Sequence, residues 1–229
     1  MVKHSYVVRE ASRMSEIVSE AFYIAQNGRP GPVVIDVPKD VGLEKINDYI
    51  PIQQKHILKV LGYRFDYKTS STQIKQAEEI IKRSIQPLVY VGGGVLTSNA
   101  SDELSQLANT YHLPVTTTLM GKGAFDEHHP LALGMLGMHG TAYANFAVSN
   151  CDLLIAIGAR FDDRVTGKLE DFACNAMIIH IDIDPAEVGK NKIPQLAIVG
   201  DVKQILRQIL ANSNVDSKKQ QAQTQGWMN

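Results

Sequence analysis

Glycine-rich segments beside short apolar runs are the part of this chain best suited to chemistry. Three such segments follow one another between Thr118 and Lys168, with the sequences TLMGKGAF, GMLGMHGTAYANF and DLLIAIGARFDDRVTGK. Glycine has no Cβ, so its backbone can approach a ligand closely, and ligands of open α/β sheets bind at the ends of the strands. The pattern therefore indicates a large, flat cofactor that carries phosphate.

The run RFDDR, residues 160–164, follows the apolar stretch 153–157 and Gly158. Arg160 and Arg164 could bind a pyrophosphate or a carboxylate through paired N–H bonds, with the aspartates between them orienting the guanidinium groups. A surface cluster of ion pairs, each worth about 0–1 kcal/mol, is the alternative. The position at the end of a predicted strand favours binding.

Two glycine loops support the same interpretation less specifically. Residues 92–94 expose backbone N–H groups between a strand and a helix, which favours an anion. Their spacing is not GxGxxG, so a tight turn without a ligand is an equally good explanation. For residues 137–140, the simpler alternative is a helix-opening loop whose His139 is satisfied by backbone groups.

Acidic residues end the last two predicted strands. Asp182 could accept a hydrogen bond from a ribose, and so could Asp201, although Asp201 also suits a helix N-cap. His128 and His129 are interpreted as surface residues, because no third metal ligand is suitably spaced. We predict no metal site in this chain, and the Gly-Asp-Gly motif of thiamine enzymes does not occur in it.

Composition excludes several classes of protein. The 229 residues have a formal charge of −1 and are 44% hydrophobic, which suits one or two globular domains. Nucleic acid is excluded as a partner because its binding surfaces carry a basic excess. We predict no membrane span and no signal or transit peptide. Cys151 and Cys174 lack metal-ligand spacing, which predicts buried thiols in a reducing compartment.

Alternating helices and strands after residue 71 predict an α/β fold with a doubly wound, Rossmann-like parallel sheet. The predicted strands are 88–91, 115–118, 153–157, 177–183 and 196–199. The predicted helices are 73–84, 101–111, 142–149 and 202–211.

A helix over 12–27 and a strand over 33–37 open the chain, and the sequence offers them no neighbouring strand. Four domain assignments follow. We predict that residues 1–40 end a truncated α/β domain, that 41–71 are a linker, that 72–212 form a second α/β domain and that 213–229 are a polar tail.

Together the motifs resemble the large subunit of acetolactate (acetohydroxyacid) synthase. The resemblance rests on GRPGPV at 28–33, DVPKD at 36–40, YVGGG at 90–94, TLMG at 118–121, LGMHGT at 136–141, RFDDRVTGK at 160–168 and HIDID at 180–184. It runs from about residue 3 to about residue 212 and departs only near 97–100 and across 47–71. The run RFDDRVTGK separates this family from most other thiamine-diphosphate enzymes.

The resemblance implies an enzyme of valine, leucine and isoleucine biosynthesis. Such an enzyme decarboxylates pyruvate on thiamine diphosphate and joins the product to a second pyruvate or to 2-oxobutanoate. The resemblance assigns residues 1–40 to the end of the domain that binds the pyrimidine of thiamine diphosphate, and 213–229 to a linker toward a missing C-terminal domain. It assigns 72–212 to the central domain, which binds FAD without a net redox role. The family's catalytic glutamate and its magnesium site have no counterpart in these residues, so the resemblance implies a fragment without catalytic residues that is inactive alone.

The resemblance also implies which residues contact the cofactor and the substrate. FAD would be bound by Arg29, Gly92, Gly93, Gly94, Thr118, Leu119, Met120, Gly137, Met138, His139, Gly140, Gly158, Arg160, Asp162, Arg164, Asp182, Ile183, Asp201 and Val202. The substrate channel would be lined by Lys39, Met138, His139, Asp163 and Arg164.

The expected partners are small 2-oxo acids, a second large subunit and a small regulatory subunit, in a plastid stroma or a bacterial cytoplasm. Two alternatives remain open. One is the central domain of a glyoxylate carboligase or a pyruvate oxidase. The other is a stand-alone nucleotide-binding module.

Overall fold

Two units make up this chain, for which a computed structural model describes residues 1–46, 69–213, 221 and 224–226. The smaller unit spans Met1–Asp66 and the larger unit spans Tyr67–Asn229. The assignment of named domains to them stays a prediction.

Residues 1–46, the described part of the smaller unit, form a two-stranded parallel sheet and two α-helices. Strand β1 (His4–Val7) pairs with β2 (Val33–Asp36). Helix α1 (Met14–Gln26) lies between them in the chain, and α2 (Lys39–Leu43) follows β2. The buried side chains that pack together in this unit are those of Val8, Ala11, Ile17 and Val41.

One expectation for this region is wrong. The opening helix and strand do have a neighbour, because β1 pairs in parallel with β2. Its four residues, HSYV, are too short and too polar for the sequence pattern to reveal. The linker over 41–71 stays a prediction, and its first three residues belong to α2, which extends to Leu43. Residues 47–68 of that prediction lie outside the described residues.

Six parallel strands form the sheet of the larger unit, in the order β5-β4-β3-β6-β7-β8. They are β3 (Pro87–Val91), β4 (Val115–Thr117), β5 (Ala132–Met135), β6 (Leu153–Ile157), β7 (Met177–Asp182) and β8 (Leu196–Val199). The helices are α3 (Ser71–Arg83), α4 (Gly93–Thr97), α5 (Ser101–Tyr111), α6 (Ala142–Asn150), α7 (Asp163–Thr166) and α8 (Val202–Ala211). The predicted doubly wound α/β fold is confirmed.

Helices cover both faces of this sheet. Every residue of β3 and β6 is buried, as expected for central parallel strands, which read as continuous apolar runs. Side chains alternate between the two faces, so Val89 and Ile155 join the core beneath α3, α5 and α8. Leu88 and Leu154 point the other way and join the core beneath α6.

Three short elements of the larger unit have no counterpart in the prediction. Strand β5 contains Gly134 at a φ of +80° and shifts its register against β4, so the alternation that predicts a strand is broken. Helix α4 begins inside the glycine run, and α7 begins inside RFDDR. In both places the residue types are typical of a ligand site, so the sequence pattern does not reveal the single helical turn that they form.

One expectation about single residues is also wrong. Cys174 is exposed, whereas Cys151 is buried, and both thiols are free. In the predicted terminal linker, Thr224 is buried and its hydroxyl donates to the carbonyl of His112 at 2.7 Å. None of the described helices combines the length and the apolar composition needed to cross a bilayer.

Candidate functional site

The strand order reverses between β3 and β6. From β3 the chain proceeds to β4 and β5 on one side, then returns to place β6, β7 and β8 on the other side. In open α/β sheets, ligands bind outside the carboxyl ends of the strands at such a switch point. We call this side of the sheet, formed by the residues that follow the six strands, the carboxyl edge.

Each of the six strands ends at residues that the sequence analysis singles out. These are 92–94 after β3, 118–120 after β4, 137–140 after β5, 158–164 after β6, 182–183 after β7 and 201–202 after β8. The fold therefore brings every site residue predicted for the larger unit to one edge. Arg29 and Lys39 belong to the smaller unit, where Arg29 precedes β2 and Lys39 begins α2.

Glycines let the ends of β3 and β6 come together. The amide of Gly92 donates to the carbonyl of Ile157, and the amide of Gly94 donates to that of Gly158, both at 3.0 Å. A Cβ on Gly92 would lie 2.1 Å from the carbonyl oxygen of Gly158. Close backbone packing thus accounts for Gly92 and Gly94, while α4 begins at Gly93 beside Met120.

The residues after β4 form a capped turn with an apolar surface. The hydroxyl of Thr118 accepts a hydrogen bond from the amide of Gly121 at 2.9 Å, which fixes the 3-10 turn Leu119–Gly121. The side chains of Leu119 and Met120 are 69% and 74% exposed. Large apolar groups at this position indicate a surface that a ligand or partner covers.

The loop after β5 contacts the helix after β6. Gly137 has a φ of +103°, and a Cβ there would lie 2.8 Å from the carbonyl oxygen of Arg164. The amide of Met138 donates to that same carbonyl at 3.2 Å. The side chains of Met138 and His139 are exposed, so the loop presents both of them outward rather than burying His139.

The segment after β6 alternates between core and solvent. Phe161 is buried, whereas the side chain of Arg160 is 50% exposed and lies 3.4 Å from the carboxylate of Asp162. Asp162 caps α7 by accepting from the amide of Arg164 at 3.2 Å. Hydrogen bonds with the Asp163 carboxyl and with that amide lower the pKa of Asp162, so Asp162 is ionised at neutral pH.

The acidic residues after β7 and β8 have local partners. Asp182 accepts from the amide of Asp184 at 2.9 Å and is almost fully buried. Asp201 accepts from the amide of Gln204 at 3.0 Å, so it is the N-cap of α8. The side chain of Val202 is buried in the core, which leaves only its backbone to face a ligand.

Two polar side chains of this edge escaped the sequence analysis. The hydroxyl of Tyr90 donates to the carbonyl oxygen of Arg160 at 3.0 Å. The Nε2 of His180 lies 3.0 Å from the carbonyl oxygen of Ala159. Burial raises the pKa of Tyr90 and lowers the pKa of His180, so both are neutral at neutral pH. A tyrosine and a histidine inside otherwise aliphatic strands are the pattern that could have revealed them.

The paired histidines have structural contacts. The Nε2 of His129 lies 3.1 Å from the side-chain oxygen of Asn109, and its Nδ1 accepts from the amide of Leu131 at 3.2 Å. Within the described residues, no group of three or more His, Cys, Asp or Glu side chains could hold a metal ion.

A groove of about 390 Å³ lies beside the amino ends of β7 and β8. It is lined by Ile178, near the start of β7, and by Gln195, just before β8, together with Leu169 and Ile193. Asn191 also lines the groove, and its side chain donates to the carbonyl of Phe161 in the segment after β6. The groove gives a second surface against which binding at the carboxyl edge can be tested.

The carboxyl edge offers apolar and cationic groups together. Leu119, Met120 and Met138 expose apolar side chains, and Arg160 supplies an exposed guanidinium beside Arg164. A flat aromatic ring system joined to a pyrophosphate would find a matching surface for each of its parts.

Several known proteins are similar to this chain in sequence. Residues 74–209 match the family model described as "Thiamine pyrophosphate enzyme, central domain". The acetolactate synthase large subunit of Cyanidium caldarium is 58% identical over 236 residues, covering 100% of this chain and 39% of the relative. That of Porphyra purpurea is 62% identical over 210 residues, covering 92% of this chain and 35% of the relative. The acetolactate synthase of Arthrospira platensis is 55% identical over 213 residues, covering 92% of this chain and 36% of the relative. The chain thus spans less than two fifths of the length of these relatives.

Proposed function

The chain belongs to the thiamine pyrophosphate enzyme family, whose central domain it contains, and from this we propose that its larger unit binds FAD along the carboxyl edge. One observation carries the proposal. All six strand ends bring a predicted site residue to the edge where the strand order reverses, which is where such sheets bind dinucleotides.

The proposed roles follow from the exposed groups. Arg160 and Arg164 bind the pyrophosphate, because a guanidinium donates two parallel bonds to such oxygens. Leu119, Met120 and Met138 cover the apolar ring system. Bound FAD completes the architecture of the site without a net redox step.

The proposal extends to the protein that carries this domain. Homology to acetolactate synthase large subunits supports an enzyme that decarboxylates pyruvate on thiamine diphosphate and condenses the product with a second 2-oxo acid. Thiamine diphosphate and magnesium are held outside this chain, and the 229 residues have no synthase activity alone. A homodimer with a small regulatory subunit, in a plastid or a bacterial cytoplasm, completes the proposal.

Equilibrium dialysis of the 229-residue chain against FAD tests the central part. We expect saturable binding of about one FAD per chain, weakened about tenfold or more by Arg160→Ala or Arg164→Ala, because each removes charge-assisted hydrogen bonds. Arg83→Ala is the matched control. Its side chain is 81% exposed at the end of α3, on the amino side of the sheet, so this variant should bind FAD normally. Equal weakening by all three variants would refute the assignment of the FAD site. Acetolactate formed from pyruvate by the pure chain would refute the claim that the chain is inactive alone.

The pairing of β1 with β2 favours one second candidate, a stand-alone nucleotide-binding module. The opening helix and strand find a partner within the chain, which such a module requires. A module that reads only the adenosine end would bind ADP as tightly as FAD. The flavin site that we propose would prefer FAD, so competition between the two ligands decides.

A further inference from the structure

Three consecutive carbonyl groups, those of residues 159–161, each accept a hydrogen bond from a side chain of a different element. We call residues 159–162 the β6 exit segment. The three bonds are His180 Nε2 to Ala159 O at 3.0 Å, Tyr90 Oη to Arg160 O at 3.0 Å and Asn191 Nδ2 to Phe161 O at 2.5 Å. The donors come from β7, from β3 and from the loop before β8. These bonds hold the backbone of residues 159–161, which belong to no strand or helix, at three consecutive carbonyl groups.

Aromatic packing fixes the same segment from inside. The ring of Phe161 lies 5.3 Å from the ring of His180, 5.9 Å from that of Tyr90 and 6.1 Å from that of Phe172, measured between centroids. Such edge-to-face and tilted contacts stabilise an aromatic pair beyond the area it buries. Along this segment Ala159 and Phe161 are buried, Arg160 is exposed and Asp162 is half-buried, so the charged side chains lie on the side away from the aromatic core.

We propose that Tyr90, His180 and Asn191 are positioning residues, whose three hydrogen bonds hold the β6 exit segment so that Arg160 and Asp162 face the ligand. None of the three touches the ligand in this account. The ligand part of the inference rests on the proposed flavin site, whereas the ordering of the segment does not depend on it.

Burial explains why the donors matter. Tyr90 and His180 are fully buried, so removing either donor leaves a buried carbonyl without its partner, which costs more than an average hydrogen bond contributes. Donation from Nε2 requires the tautomer with hydrogen on that nitrogen. Among the described residues, the Nδ1 of His180 has no hydrogen-bond partner, so this tautomer is the one that the surroundings satisfy.

Amide hydrogen exchange without ligand tests the ordering of the segment. The amides of Val165 and Thr166 donate to the carbonyl of Asp162 at 3.0 and 2.9 Å, so they report on the end of the β6 exit segment. Tyr90→Phe removes one hydroxyl and keeps the ring. We expect these two amides to exchange about fivefold faster, while the amides of α5 are unchanged.

Tyr111→Phe is a matched control for that variant. Tyr111 is also fully buried, but its hydroxyl has no partner within the described part of the chain. The same chemical change there should leave the exchange of Val165 and Thr166 unaltered. If Tyr90→Phe changes these amides no more than Tyr111→Phe does, the proposal is wrong.

FAD affinity tests the link to Arg160. We expect Tyr90→Phe to weaken binding about fivefold in the wild-type chain and to have no further effect in an Arg160→Ala background, since a residue that acts through another is not additive with it. A purely structural role would weaken both backgrounds equally. His180→Leu should weaken binding, and His180→Gln, which can still donate to Ala159, should restore most of it.

The outcomes separate the two proposals. If the wild-type chain binds no FAD, the proposed function fails, and the exchange measurement alone still decides whether these side chains order the segment. If FAD binds and Tyr90→Phe weakens both backgrounds equally, the positioning role fails while the flavin site stands.

Discussion

The amide nitrogen of Gly94 lies 3.0 Å from the carbonyl oxygen of Gly158, and this bond joins the ends of β3 and β6 where the strand order reverses. A Cβ on Gly94 would approach the Cα of Gly158 to 2.6 Å. The glycines that attract attention in the sequence therefore serve first to bring two strand ends together. The surface for a ligand is formed by the side chains around them.

Gly92→Ala should destabilise the larger unit by about 2–4 kcal/mol, because overpacking against rigid backbone forces the two strand ends apart. The φ of Gly92 is −107°, which alanine adopts easily, so space is the sole reason for glycine. Gly123→Ala is the control. Its Cβ meets no atom within 4 Å, but its φ is +87°, so the cost there is about 1 kcal/mol. Urea unfolding measures both, and equal costs would contradict this reading.

Asp162→Ala should remove the N-cap of α7 and cost about 1 kcal/mol of local stability, whereas Asp162→Asn should stay within about 0.5 kcal/mol because asparagine caps equally well. Exchange of the Thr166 amide, which donates to the carbonyl of Asp162, measures the effect. If the asparagine variant is as unstable as the alanine variant, the charge of Asp162 rather than its cap stabilises this turn.

His180 should make the folded chain less stable in mild acid. Burial lowers the pKa of His180 below its ordinary 6.5, although the Asp182 carboxylate 3.9 Å away and Glu187 oppose part of this. The unfolded chain then takes up a proton at a higher pH than the folded chain. The stabilisation is complete above pH 6.5 and is lost as the pH falls toward the folded pKa.

Urea midpoints on either side of that pH, compared between the wild type and His180→Gln, isolate this contribution. Other histidines affect both proteins alike, so the glutamine variant should lose less stability on acidification. An identical loss in the two proteins would show that His180 does not titrate differently on folding.

The two cysteines should react at very different rates. Cys151 is buried, and burial raises the pKa of its thiol to about 12, so almost no thiolate is present at neutral pH. Cys174 is exposed. A disulfide reagent should label one thiol rapidly in the native chain and both in denaturant. Cys174→Ser should abolish the rapid phase, and rapid labelling of that variant would contradict the burial of Cys151.

Long periodic segments allowed most of the larger unit to be predicted from the sequence. Helix α5 and the strands β6 and β8 have the predicted bounds, because their apolar spacing and their flanking residues agree. Strand β5 and the single turns α4 and α7 escaped, since each contains glycines or charges whose role depends on a distant strand end. Strand β1 escaped because four residues carry too little pattern.

The candidate site divides in the same way. Glycines and arginines at strand ends can be recognised from residue type, and the fold places them on one edge. The donors Tyr90, His180 and Asn191 could not be recognised as a group, because they lie on three elements and meet only through the carbonyls of residues 159–161. Asp182 and Asp201 show the opposite error. The sequence suggests that they contact a ligand, but each already accepts a hydrogen bond from a nearby backbone amide.

A backbone NMR titration of the 229-residue chain with FAD tests the central claim most directly. We predict that the largest amide shifts fall on the carboxyl edge, at Gly93, Met120, Met138, Arg160 and Arg164. Shifts concentrated instead around the groove at Leu169, Ile178 and Ile193, or no shifts at saturating FAD, would contradict the account.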